Sequence, residues 1–80
     1  MNDAEIKALA LRVLQSIAPE IDEVDLRDDK PLRAQIDLDS MDWLNFLLGL
    51  HRELSVDIPE SDYARLVTLA DVVAYLRQRI

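Results

Sequence analysis

The chain contains no cysteine, which excludes disulfides and thiolate metal sites. It has one glycine and three prolines, too few for a Gly-rich phosphate loop, and no Asn-Gly hairpin signal. His51 is the only histidine, so an enzyme built on this chain would have to work with carboxylates, lysine, arginine and hydroxyls. No apolar run approaches the ~20 residues that cross a bilayer, and the opening "MNDAEIKALALRVLQ" lacks the basic start of a signal peptide. A soluble, cytoplasmic protein is expected. Basic residues are also scarce. Nine face sixteen acids, for a net charge of −7, so nucleic acid is not an expected partner. The acidity keeps a small protein soluble and would suit a basic partner.

What remains is a chain of eighty residues, half of them apolar. That is enough for one domain, residues 1–80, near the lower limit for a self-sufficient core. Four helical stretches are expected. The first runs from Asp3 to Ile17, with Ile6, Leu9, Val13 and Ile17 on one face and a capping box from Asn2 to Glu5. Pro19 stops it. From Glu20 to Leu38 the helical period is lost, and a long loop is expected; a loop of this length without structure of its own is uncommon in a compact domain. A short helical turn within it and the side chains Val24, Leu26, Leu32, Ile36 and Leu38 would tie it to the core.

The second helix starts at Asp39 or Ser40 and ends near Leu54, with Asp39 as its cap and Asp42 three positions on. Pro59 closes the connector Ser55–Pro59. A short third helix follows over about Glu60–Leu66. Thr68 caps the fourth, with Leu69, Val72, Val73, Leu76 and Ile80 as its apolar stripe. The fold class is therefore all-α: four helices, the third short, with a long loop between the first two.

The second helix is apolar on two sides. At ~100° per residue, Trp43, Phe46, Leu47, Leu50 and Leu54 share the core face. Met41, Leu44 and Leu48 form a separate stripe beside Ser40 and His51. Either the long loop covers this stripe or it faces outward. Complete burial is hard to arrange in a chain this small, so partial exposure is expected. Ser40 is a further peculiarity. Asp39 already serves as the cap, so the serine hydroxyl is spare at the positive end of a helix, where a phosphate would meet free N–H groups and a favourable dipole. No base is close in sequence, so the position suits covalent attachment of a phosphorylated group and not acid–base chemistry. The residues alone do not name that group.

"DLDSMDWLNFLLGLHRELSVDIPE" resembles the acyl carrier protein family, whose signature is leucine–glycine–any–aspartate–serine–leucine before a helix, followed by an acidic and apolar stretch ending in isoleucine–proline. Ile36, Asp39, Ser40, Met41, Asp42, Ile58 and Pro59 match or approximate it, and "LVTLADVVAYL" resembles the family's last helix. The resemblance implies an antiparallel four-helix bundle with 4′-phosphopantetheine on Ser40, transferred from coenzyme A by a separate phosphopantetheinyl transferase. The arm's thiol would carry acyl groups as thioesters, and the chain itself would catalyse nothing. Asp39 would belong to the attachment motif. Met41, Asp42, Leu44, Asn45, Leu48, His51 and Arg52 would form the face that docks acyl-activating, acyl-transfer or condensing enzymes of fatty-acid, lipid or secondary-metabolite synthesis. A monomer is expected.

Two departures are visible. Asp37 stands where the family has its glycine, and Asn45, His51 and Arg52 stand where it often has glutamates. Both suggest a specialised carrier. Family members often shelter the acyl chain between the second, third and fourth helices. Here Trp43, Tyr63 and Val72 occupy positions where smaller residues are common, so little internal space for a cargo is expected.

Other classes are weaker. A plain helical interaction module with Ser40 unmodified would use the same Met41 stripe. A calcium loop fails: with Asp37 first, Asp42 falls at the sixth position and Leu48 at the twelfth, where glycine and glutamate are needed, and no metal site is expected. For an enzyme, His51 lies ~16 Å along the helix from Ser40, too far for a hydrogen bond, and a surface position is expected for it.

Overall fold

Each main helix starts where its cap dictates. The side chain of Asn2 accepts a hydrogen bond from the Glu5 N–H at 2.9 Å, and the Glu5 carboxylate accepts from the Asn2 N–H at 3.1 Å. Two donors left orphaned by the helix start are thereby satisfied. In the computed structural model, which describes residues 1–80, helix α1 spans Asp3–Ile17. A 3₁₀ turn follows at Glu23–Asp25, then a one-turn helix α2 at Leu32–Gln35. Helix α3 runs Ser40–Leu54, a 3₁₀ helix covers Glu60–Arg65, and α4 runs Leu69–Arg77 from a Thr68–Asp71 capping box. The chain is an all-α bundle, with the expected short third helix realised as 3₁₀. No helix is long and apolar enough to cross a membrane.

Helix α1 packs on both α3 and α4. Nineteen buried side chains form one core, and no other polar or charged residue joins the single phenol among them, Tyr75. Phe46, Ile6, Leu14, Leu47, Leu50, Leu69 and Leu76 are among the most completely enclosed. Burying side chains of this size stabilises the fold by ~1.5–3 kcal/mol each. The chain's one glycine is placed by this packing. A Cβ added to Gly49 would stand 2.5 Å from Cγ1 of Val13, closer than carbon atoms can approach. Gly49 thus lets α3 lie tightly against α1.

The long loop is ordered by hydrogen bonds that its sequence does not advertise. Gln35 accepts from the Arg27 N–H at 2.7 Å and donates to the carbonyls of Arg27 and Lys30 at 2.9 and 3.1 Å. The Leu32 N–H donates to the Val67 carbonyl at 2.9 Å, and the Ala70 N–H to Asp28 at 3.1 Å. These bonds tie the loop to the start of α4, and Lys7 reaches Asp28 from α1 at 3.0 Å. Asp62 of the 3₁₀ helix accepts from the Tyr75 hydroxyl at 2.6 Å and from Arg79 at 3.3 Å. The Arg79 guanidinium also lies 4.1 Å from the centre of the Tyr75 ring. Such a stack adds ~0.5–1 kcal/mol at an exposed site.

Several expectations need correction. Val24 does not pin the loop but is 87% exposed, because the Asp22 carboxylate caps a turn with no buried residue, and Ile21 and Leu26 pack in its place. On α1 the buried face is centred on Ile6, Ala10, Val13 and Leu14, leaving Leu9 and Ile17 half-buried at its edges. Leu54 is likewise only half-buried. Ile80 leaves the apolar stripe of α4, since the helix ends at Arg77 and exposes it. Tyr75 enters the core in its place, with its hydroxyl satisfied by Asp62.

Two outcomes follow for stability. Gly49→Ala should destabilise the fold by about 1 kcal/mol, because the overpacking cost of ~1–3 kcal/mol exceeds the ~1 kcal/mol gained in helix propensity. Val13 is β-branched and stiff in a helix, so it cannot swing aside freely. Denaturant titration of Gly49→Ala, Val13→Ala and the double variant should show the two changes partly rescuing each other. The second concerns alkaline pH. Burial, reinforced by its hydrogen bond to Asp62, pushes the Tyr75 phenol above its ordinary value of 10.0, with Arg79 opposing. The folded state therefore holds this proton more tightly than the unfolded one. The associated stability is complete below the ordinary phenol value and is lost as pH rises through the higher folded value. Unfolding measured across that alkaline range should show this loss, and Tyr75→Phe should flatten it.

Candidate functional site

Asp39 performs the capping that its sequence position suggested. Its carboxylate accepts from the Asp42 N–H at 2.8 Å, and its carbonyl accepts from the Trp43 N–H at 3.0 Å. Ser40 is the first residue of α3, exposed, and its hydroxyl makes no hydrogen bond. The N–H groups of Ser40 and Met41 also donate to nothing within the chain. A nucleophilic oxygen and two free donors thus share the positive end of a fifteen-residue helix. The other serines are placed differently. The Ser16 hydroxyl is committed to the Val13 carbonyl at 2.6 Å, Ser55 is the left-handed C-cap of α3, and Ser61 lies within the 3₁₀ helix.

The segment before Ser40 is held from behind. Leu38 and Ile36 are buried, and the Arg33 Nε–H donates to the Leu38 carbonyl at 3.4 Å. Asp37 and Asp39 stay exposed. Asp37 needs none of a glycine's freedom, since Ser55 is the only residue with positive φ, at 54°.

The two-sided character of α3 is real. Trp43, Phe46, Leu47 and Leu50 are buried, with the Trp43 and Phe46 rings 5.3 Å apart. Met41, Leu44 and Leu48 remain 68%, 39% and 42% exposed, so the long loop does not cover them. Three of the seven large exposed apolar side chains therefore line one stripe of one helix. Asn45 and Arg52 are exposed beside this stripe, and Asp42 is half-buried. His51 is a surface residue as expected, but not a free one. Its Nδ1 lies 2.8 Å from the Val56 carbonyl and 3.8 Å from Asp57.

Two of the surface grooves beside this helix share Tyr63 of the 3₁₀ helix as a wall. The larger, about 400 Å³, lies between α3 and the 3₁₀ helix and is lined by Leu47, Leu48, His51, Asp57, Ile58, Pro59 and Tyr63. A smaller one of about 210 Å³ is bordered by Arg33, Trp43, Tyr63 and Leu66. Trp43 and Val72 occupy the interior as expected. Tyr63 does not: it is half-buried and forms a wall shared by both grooves. Asp57 carried no sign of a site in the sequence, and Tyr63 was expected inside the bundle and not in a surface groove, because the walls come from segments that only the fold brings together. No group of histidine and carboxylate side chains is arranged to hold a metal ion.

Comparison with known proteins agrees with this geometry. The family described as "Phosphopantetheine attachment site" matches residues 5–76. A protein of Lactobacillus acidophilus named "Acyl carrier protein" is 28% identical over 58 residues, 72% of each chain. One of the same name from Rickettsia typhi is 23% identical over 70 residues, 85% of this chain and 81% of the other. Another from Kineococcus radiotolerans is 34% identical over 50 residues, 62% of each chain.

Because Asp39, and not Ser40, caps α3, the two side chains should separate in a stability measurement. Asp39→Ala should cost ~0.5–2 kcal/mol, whereas Ser40→Ala should change stability by no more than ~0.5 kcal/mol. Thermal or denaturant unfolding of the two variants checks this.

Proposed function

The chain belongs to the phosphopantetheine attachment-site family, a family of non-catalytic carriers with covalently held 4′-phosphopantetheine, and from that premise we propose that Ser40 is the attachment residue of an acyl carrier. The observation that carries the proposal is the free, exposed hydroxyl of Ser40 at the first position of α3, beside a capping Asp39. In the transfer, Ser40 Oγ forms a new bond to phosphorus, the pyrophosphate bond of coenzyme A breaks, and the adenosine-bearing half leaves. The hydroxyl proton goes to the transferase, since no base of this chain contacts Ser40. The arm then supplies a thiol that the cysteine-free chain lacks, and acyl groups ride on it as thioesters.

Docking falls to the exposed stripe of Met41, Leu44 and Leu48, with Asp42, Asn45, His51 and Arg52 around it. The partners in this reading are a phosphopantetheinyl transferase and enzymes that activate, transfer or condense acyl groups. The charge on the face is mixed: Asp42 is set against Arg52. A strongly basic partner surface would gain less local attraction from this face than from one lined by several acids. The reading is therefore a specialised carrier, working as a single-domain monomer in the cytoplasm. The rival is an interaction module that uses the same stripe without any arm.

Incubation with coenzyme A and a broad-specificity phosphopantetheinyl transferase separates these readings. Intact mass should increase by one phosphopantetheine on the wild type and not on Ser40→Ala. Full modification of that variant, or none of the wild type, overturns the attachment assignment. For the docking face, Asn45→Glu with Arg52→Glu should speed encounter with a basic fatty-acid synthase enzyme at low salt. The gain should fade as ionic strength approaches ~0.1 M, where screening acts within ~10 Å. An unchanged low-salt rate counts against the charge argument.

A further inference from the structure

The interior of the bundle is filled. Trp43, Phe46, Leu47, Leu50 and Val72 are buried in one apolar cluster, and the space beside α3 lies at the surface. The groove between α3 and the 3₁₀ helix begins at Leu47, about 10 Å along the helix from Ser40 at the helical rise. Its α3 wall starts apolar with Leu47 and Leu48 and ends at His51. On the opposite side Ile58 and Pro59 are apolar and Asp57 is charged.

The hydrogen bond to Val56 selects one tautomer of the neutral His51 ring. A carbonyl oxygen only accepts hydrogen bonds, so Nδ1, 2.8 Å from the Val56 carbonyl, must carry a proton. In the neutral ring Nε2 is then the acceptor, and no group of the chain bonds to it. The polar end of the groove thus offers an imidazole acceptor, with a carboxylate at the rim and no unpaired cation among its lining residues. Resting on the carrier reading above, we infer that the cargo is a short acyl group bearing a hydrogen-bond donor, a hydroxyl or an amine, and that His51 selects it in this surface groove. A long saturated chain finds no interior to enter, because Trp43 and its neighbours occupy it and well-packed cores leave few voids.

The absence of cysteine allows a test that does not depend on any transferase. Ser40→Cys supplies one thiol, which can be alkylated with haloacetamide-linked pantetheine mimics ending in hexanoyl, 5-hydroxyhexanoyl, 5-aminopentanoyl or palmitoyl groups. The hydroxyl or amine cargo should raise Tm over the hexanoyl form by about 4 °C, as one added hydrogen bond predicts for a domain of this size. The ¹⁵N resonance of His51 Nε2 should shift with it. Combining Ser40→Cys with His51→Phe should abolish the difference, and His51→Gln should restore part of it. Equal Tm for the polar and plain cargoes overturns the inference. So does a palmitoyl form that is stabilised and shifts Trp43 fluorescence, since that reports entry into the core. Failure of enzymatic loading on the wild type bears on the Ser40 assignment alone, because this cargo comparison is loaded chemically.

Discussion

The close seating of α3 on α1 is the constraint from which the functional surface follows. It depends on one position without a side chain. Where Gly49 meets Val13, an ordinary Cβ would collide with a stiff β-branched side chain. With the two helices this close, Phe46, Leu47 and Leu50 reach the core and are almost fully enclosed. The rotation of α3 is then set by its inner face. Its other apolar residues, Met41, Leu44 and Leu48, are left outside because residues ~100° apart cannot all point inward.

The start of α3 shows a division of labour between neighbouring residues. A helix start leaves donors unsatisfied, and most proteins fill the need with one serine, threonine or aspartate. Here Asp39 does so, and Ser40 keeps an uncommitted hydroxyl in the same electrostatic setting. The cap that stabilises the helix and the hydroxyl proposed for modification are therefore different side chains. The buried Leu38 and Ile36 and the hydrogen bond from Arg33 hold the preceding backbone, so the serine is presented from a fixed base.

The other end of α3 is organised by polar contacts across gaps in the sequence. His51 ties the helix to the Val56 carbonyl, and Asp62 ties the 3₁₀ helix to Tyr75 and Arg79. Both contacts fix segments that border the groove beside α3. The long loop is held at a distance from this face by Gln35 and by its hydrogen bonds to the start of α4. It therefore leaves the Met41 stripe open.

Features governed by neighbouring residues could be read from the chain alone. The three helix caps at Asn2, Asp39 and Thr68, the bounds of α1 and α3, and the two-sided pattern of α3 all depend on residues three or four apart. The spare position of Ser40 was legible for the same reason. What could not be read depended on partners distant in sequence. The exposure of Val24 followed from a turn capped by Asp22. The exclusion of Ile80 followed from where α4 ended, and the burial of Tyr75 required an acceptor thirteen residues away on another element. Tyr63 looked like a core residue by its register and became a groove wall because a 3₁₀ helix turns its side chains differently from an α-helix. Periodicity specifies which residues of a helix share a face. Which face turns inward, and what meets it there, is a question of packing among segments that the chain keeps apart.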